Sequence, residues 1–134
     1  MTMLSKRREL DVEATEAFAH LFQALADPSR LSVLQHLSLG EHRVRDLVDH
    51  LGLAQSTVSK HIAFLAACRL VRARVDGRST WYALAHSRPL GDLVAAAERL
   101  LEAAGSQHAL CAHLTARADD LGMTGEDGAD GSRA

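Results

Sequence analysis

Two thiols and a run of small polar residues beside arginines are the parts of this chain equipped for chemistry. The thiols are Cys68 and Cys111, the only cysteines among 134 residues. In a reducing compartment such a pair is more often free, metal-bound or redox-active than a structural disulfide. The polar run is Gln55-Ser56-Thr57 with Ser59, Lys60 and His61, followed by Arg72, Arg74 and Arg78. A glutamine can bond adenine through two hydrogen bonds, and Ser or Thr can bond a base or a phosphate. Amides at a helix start favour a phosphate. Other chemistries lack their residues. The chain has no phosphate-cradling glycine loop, no nucleophile elbow and no His-Glu-x-x-His. It reads as a binding protein and not as an enzyme.

The charge divides in the same way. The formal net charge is −2, yet Arg43 to Arg78 holds seven Arg/Lys against three Asp/Glu. From Arg117 onward there are five acids and two arginines. A basic stretch inside a mildly acidic chain suits a protein that meets nucleic acid with one face. The longest stretch without Asp, Glu, Lys or Arg runs from Ala103 to Ala116 and contains two histidines. It is shorter than the roughly 18 residues of a membrane helix. Lys6, Arg7 and Arg8 are followed by no apolar core of the signal-peptide kind. The expectation is a soluble, cytoplasmic protein with no membrane partner.

The elements that must hold these residues are mostly helices. Aromatics are few, so Leu, Val and Ala must build the core. Residues 1–11 read as a flexible N-terminus. Phe18, Leu21, Phe22 and Leu25 fall on one stripe of a first helix. Asp27-Pro28 stops it and starts a second, with Asp27 as cap and Pro28 in the first turn. Leu31, Leu34 and Leu37 carry that helix toward Gly40. Val44, Leu47, Val48 and Leu51 make a third helix, closed by Gly52. A fourth spans about Ala54 to Cys68, with Val58, Ile62 and Leu65 inward and Gln55, Ser56, Ser59 and Lys60 outward. Leu70 to Val75 and Thr80 to Leu84 read as strands around the tight-turn signal Asp76-Gly77. Leu90, Leu93, Val94, Ala97 and Leu101 mark a fifth helix. Gly105-Ser106 breaks it before a possible sixth over Gln107 to Leu121. Residues 122–134 read as a disordered acidic tail.

Two short helices joined through Leu51-Gly52-Leu53-Ala54 match a helix-turn-helix. A basic hairpin directly after the second of them is a wing, whose tip arginine reaches a minor groove or a phosphate. The fold class is thus mainly α with a β-hairpin wing, a winged helix-turn-helix over residues 12–121. Three blocks resemble the ArsR/SmtB family. Ala24-Leu25-Ala26-Asp27-Pro28-Ser29-Arg30-Leu31 is similar to its "ALADPTR" signature. Gln55-Ser56-Thr57-Val58-Ser59-Lys60-His61 and Val75-Asp76-Gly77-Arg78 with Tyr82-Ala83-Leu84 follow in family order. The resemblance covers roughly residues 15 to 100. It implies a homodimer paired through its first and last helices. It also implies a repressor of operator DNA that an inducer, often a metal ion, releases. On that reading Gln55, Ser56, Thr57, Ser59, Lys60, His61 and Arg78 contact the operator, and Arg30 is structural or near the phosphates.

The same resemblance bears on the inducer. The third-helix sensor site needs Cys-x-Cys, where this chain has Arg43-Val44-Arg45. The fifth-helix site needs Asp, His and Glu or His ligands, where His86, Arg88, Arg99 and Glu102 stand. Both are excluded. Actinobacterial cadmium/lead sensors use two cysteines of the recognition helix and one in the tail. Cys68 matches the second helix cysteine and Cys111 the tail. Phe64 replaces the first, so a nitrogen must take its place. His108 lies three residues from Cys111, and His113 lies close by. The implied ligand set is Cys68, His108, Cys111 and His113, for zinc, cadmium, lead or copper. The alternative reading makes Cys68 and Cys111 a thiol redox switch on the same fold, and a metal-independent repressor is also open. The remaining histidines read as surface or capping residues.

Overall fold

A computed structural model describes residues 11–106, 108, 110 and 114. Residues 1–10, most of the possible sixth helix and the acidic tail lie outside the described residues. Five helices and one hairpin follow in chain order: α1 (Val12–Leu25), α2 (Pro28–Leu37), α3 (Val44–Leu51), α4 (Gln55–Ala67), β1 (Val71–Asp76), β2 (Ser79–Leu84) and α5 (Ser87–Ala103).

Local chemistry sets the boundaries. The Asp11 side chain accepts the Ala14 amide and starts α1. Asp27 accepts the Arg30 amide at 2.9 Å, and Pro28 occupies the first turn of α2. The turn between α1 and α2 is also tied from the far side. Arg30 donates from Nε to the Ala24 carbonyl at 2.9 Å and from Nη2 to the Gln23 carbonyl at 2.7 Å. Those carbonyls are among the ones left without partners at the end of α1. At the head of α3, Asp46 accepts the Arg43 amide at 2.9 Å and both arms of the Arg43 guanidinium. The guanidinium and amide together draw the Asp46 carboxyl down to about 2. Gly52, at φ 68°, ends α3 in the left-handed conformation.

The core lies where α2, α3 and α4 meet the base of the hairpin. Val33, Leu34, Leu47, Val58 and Leu65 are fully enclosed, with Leu37, Ile62, Val71, Leu84, Leu90, Val94 and Leu114 around them. The α1 stripe behaves differently. Only Ala24 of α1 is buried, while Phe18 is 63% and Phe22 50% exposed. Leu100 and Leu101 of α5 are exposed as well. An apolar groove of about 360 Å³ lies between these helices, lined by Phe22, Leu25, Leu93, Ala97 and Leu101.

The hairpin is antiparallel, in register from Val71↔Leu84 to Asp76↔Ser79. Both strands lie one residue from the expected starts at Leu70 and Thr80. Gly77 takes φ 63° at the turn, a value an L side chain resists. Beyond Val71 every β1 residue is exposed, so the hairpin projects from the body. Its base is fixed to the α2–α3 linker. His42 and Tyr82 exchange backbone hydrogen bonds at 3.0 and 2.8 Å.

Candidate nucleic-acid interface and thiol site

The residue pattern of α4 explains its two faces. Val58, Ile62 and Leu65 recur at helical spacing and are buried, which fixes the helix against α2 and α3. The opposite face then presents Gln55, Ser56, Ser59 and Lys60 to solvent, with Thr57 half-buried between them. Ala54 is the N-cap and offers no side-chain acceptor. The first amides of α4 are therefore left for an outside acceptor. His61 does not join this face. Its Nε2 lies 3.7 Å from Asp27 Oδ2, and its side chain is 16% exposed. The Arg30 amide, and after it the facing His61, hold the Asp27 carboxyl below the ordinary carboxylate range against the opposing effect of burial.

The wing arginines divide similarly. Arg74 is engaged: its Nε and Nη2 donate to Glu41 at 3.0 and 2.7 Å. That pairing lowers the Glu41 carboxyl and couples the hairpin to the α2–α3 linker. Arg43 stacks over Trp81 at 4.7 Å, strengthening the same joint. Arg72 and Arg78 are exposed, and Arg78 stands at the tip beside Gly77. Arg30 takes the structural course of the two open to it, since its guanidinium caps α1 and lies 4.7 Å over Phe64.

The thiol site has one member that the sequence did not suggest. Cys68 closes α4, and its Sγ lies 3.7 Å from Nδ1 and 4.0 Å from Nε2 of His20 on α1. The His20 ring also meets Phe64 edge-on, at 5.4 Å between centroids. The two residues are 48 positions apart, and no motif links them. Burial pushes the Cys68 thiol up, with the Arg30 charge acting against it. His108 is exposed and bonds elsewhere, with Nδ1 2.8 Å from Ser106 Oγ. Cys111 and His113 lie outside the described residues.

A further histidine cluster has a local explanation. The rings of His36, His42 and His50 stand 5.3 to 6.3 Å apart, between α2 and α3. His36 Nδ1 bonds the Ser32 carbonyl and His42 Nδ1 the Gly40 carbonyl, in keeping with capping and surface roles. Among the described residues no group of three or more His, Cys, Asp or Glu stands ready to hold a metal ion. Also among them, no helix is long and apolar enough to cross a membrane.

A helix whose polar start is held outward by its own buried face, next to a projecting hairpin with a bare arginine tip, is the reading head of a winged helix-turn-helix protein. Comparison with known proteins refines this class. Residues 27–73 match the model of the bacterial regulatory protein, arsR family. The HTH-type transcriptional regulator CmtR of Mycobacterium tuberculosis is 47% identical over 81 residues, 58% of this chain and 69% of that protein. A probable mercury resistance operon repressor of Streptomyces lividans is 42% identical over 76 residues, 57% of this chain and 60% of that protein. Among solved structures, one similar chain is a homodimeric winged helix-turn-helix DNA-binding domain from Mycobacterium bovis, a possible ArsR-family regulator. It has a TM-score of 0.55 and 27% identity, over 72% of this chain and 87% of that one. This chain belongs to the ArsR family of bacterial transcriptional regulators. It spans 60 to 69% of the length of the two curated relatives.

Proposed function

We propose that this protein is a homodimeric repressor that binds operator DNA and is released from it by a thiophilic metal ion. The observation that carries the DNA half is the division of α4. Its apolar residues are enclosed, while Gln55, Ser56, Ser59 and Lys60 face outward beside the exposed Arg78. Gln55 and Ser56 read bases, Thr57 and Ser59 bond bases or phosphate, and Lys60 and Arg78 meet the phosphate backbone. His61 joins them only by turning away from Asp27.

The dimer is supported by the outward apolar stripes of α1 and α5, where Phe18, Phe22, Leu100 and Leu101 are exposed together. A contiguous apolar surface of this kind marks an interface. A second copy of the chain is the occupant that fits, as in the homodimeric M. bovis domain.

The inducer site is Cys68 with His108, Cys111 and His113 of the tail. The mercury resistance relative supports a soft metal, and thiolate with imidazole suits zinc, cadmium, lead or copper. The raised Cys68 thiol favours metal over redox switching, because a redox-sensing cysteine works as a thiolate near neutral pH. A bound metal displaces the thiol proton directly.

Selection of DNA sites from a random pool tests the reading head. Gln55→Ala should lose preference at one adenine-containing position in each half-site, with a discrimination loss of about 1–3 kcal/mol. Equal weakening on every sequence would remove Gln55 from base reading.

A further inference from the structure

The notable feature of the thiol site is that α1 completes it. In relatives with two recognition-helix thiols, the position of Phe64 supplies the first ligand, and here Phe64 has none to give. Phe64 instead packs edge-on against the His20 ring, and that ring sits against the Cys68 sulfur. The substituted residue thus seats an imidazole where a donor is missing. On the far side Arg30 lies over the Phe64 ring, which holds the phenyl group in place.

The distance fits a metal as well as a hydrogen bond. With about 2.3 Å from zinc to sulfur and about 2.0–2.1 Å to nitrogen, two tetrahedral ligands stand about 3.6 Å apart. Cys68 Sγ and His20 Nδ1 are 3.7 Å apart. An ion can enter this edge with the thiol proton leaving to solvent and with little movement of either side chain. His20 is exposed, so the ion's remaining positions open outward toward further ligands.

We infer that His20 is a ligand of the inducing metal, forming with Cys68 the fixed half of a site that tail residues complete. This rests on the metal-responsive reading above. Its consequence is mechanical. Cys68 ends the helix that reads DNA, and His20 lies on the helix whose apolar face pairs the subunits. An ion bridging them ties the orientation of the reading head to the dimer seam. Occupancy therefore acts on the spacing of the two heads, the quantity a palindromic operator measures.

Cobalt(II) and cadmium(II) titrations of the reduced full-length chain, read by absorbance, test this. The wild type should show a thiolate-to-metal band with both ions and tetrahedral ligand-field bands with cobalt(II). His20→Ala should keep the thiolate band but bind at least about tenfold more weakly, since loss of even an outer-shell partner costs that much. Its cobalt(II) ligand-field bands should also shift, which a merely structural role does not produce. His20→Cys should restore tight cadmium(II) binding with a stronger thiolate band. If His20→Ala matches the wild type in affinity and ligand field, His20 is only a hydrogen-bond partner and the inference fails while the Cys68 site stands. If the wild type shows no thiolate band with either ion, the metal-responsive reading fails and this inference with it.

Discussion

Arg78 and Arg74 are four residues apart on one hairpin, yet their surroundings give them different tasks. Arg74 is held by Glu41 at 2.7 Å, so its charge is largely answered within the protein. Arg78 is exposed at the tip and free to answer a phosphate. Arg78→Ala should therefore weaken binding to all DNA sequences and reduce the slope of log affinity against log salt by about one. A slope equal to wild type would take the wing tip out of the contact set. Residue types and spacing made the outward face of α4 legible in advance, because helical period and polarity are local properties. The same reasoning placed His61 among the DNA contacts, whereas the structure turns it to Asp27. That contact joins residues 34 positions apart, and so does not register in a local pattern. His20 beside Cys68 escaped notice for the same reason.

At the scale of elements, caps and turns were the readable part. Asp27-Pro28, Gly52 and Asp76-Gly77 each carry a residue whose backbone preference matches the turn it makes. The end of α4 does not. Arg69 takes φ 63° there, a left-handed position usually given to glycine, and an arginine carries no signal for it. The head of α3 is the element most sensitive to acid. Asp46 titrates at about 2 in the fold, below the ~4 of a free aspartate. A depressed folded value means that the unfolded chain binds the proton first. The stabilisation is therefore complete above about pH 4 and is lost as pH falls toward about 2. Asp46→Asn should cost ~1 kcal/mol at neutral pH, a figure reduced for partial solvent exposure, and should flatten the acid limb of the stability curve. Thermal melts from about pH 2 to pH 7 check this. An acid limb identical to wild type would assign the low value to something other than α3 capping.

The whole molecule is organised around two apolar surfaces of different kinds. One is the enclosed core of α2, α3, α4 and the hairpin base. The other is the open stripe of α1 and α5, which sequence periodicity could not distinguish from core, since both obey the same helical spacing. If that stripe is the dimer seam, Phe22→Glu should yield a folded monomer by light scattering, with operator affinity reduced by ten-fold or more, on the order of 1.4 kcal/mol. A dimer that survives this change would place the seam elsewhere. The account makes occupancy of the thiol site and possession of the operator mutually opposed, with a coupling of roughly 1–3 kcal/mol. The most direct measurement is fluorescence anisotropy of the reduced protein on DNA from its own promoter region, titrated with zinc, cadmium, lead and copper(I). The account predicts release by at least one of these ions, lost in Cys68→Ser and in Cys111→Ser while operator binding itself persists. Tight binding unmoved by every ion, or full release retained in Cys68→Ser, would contradict it.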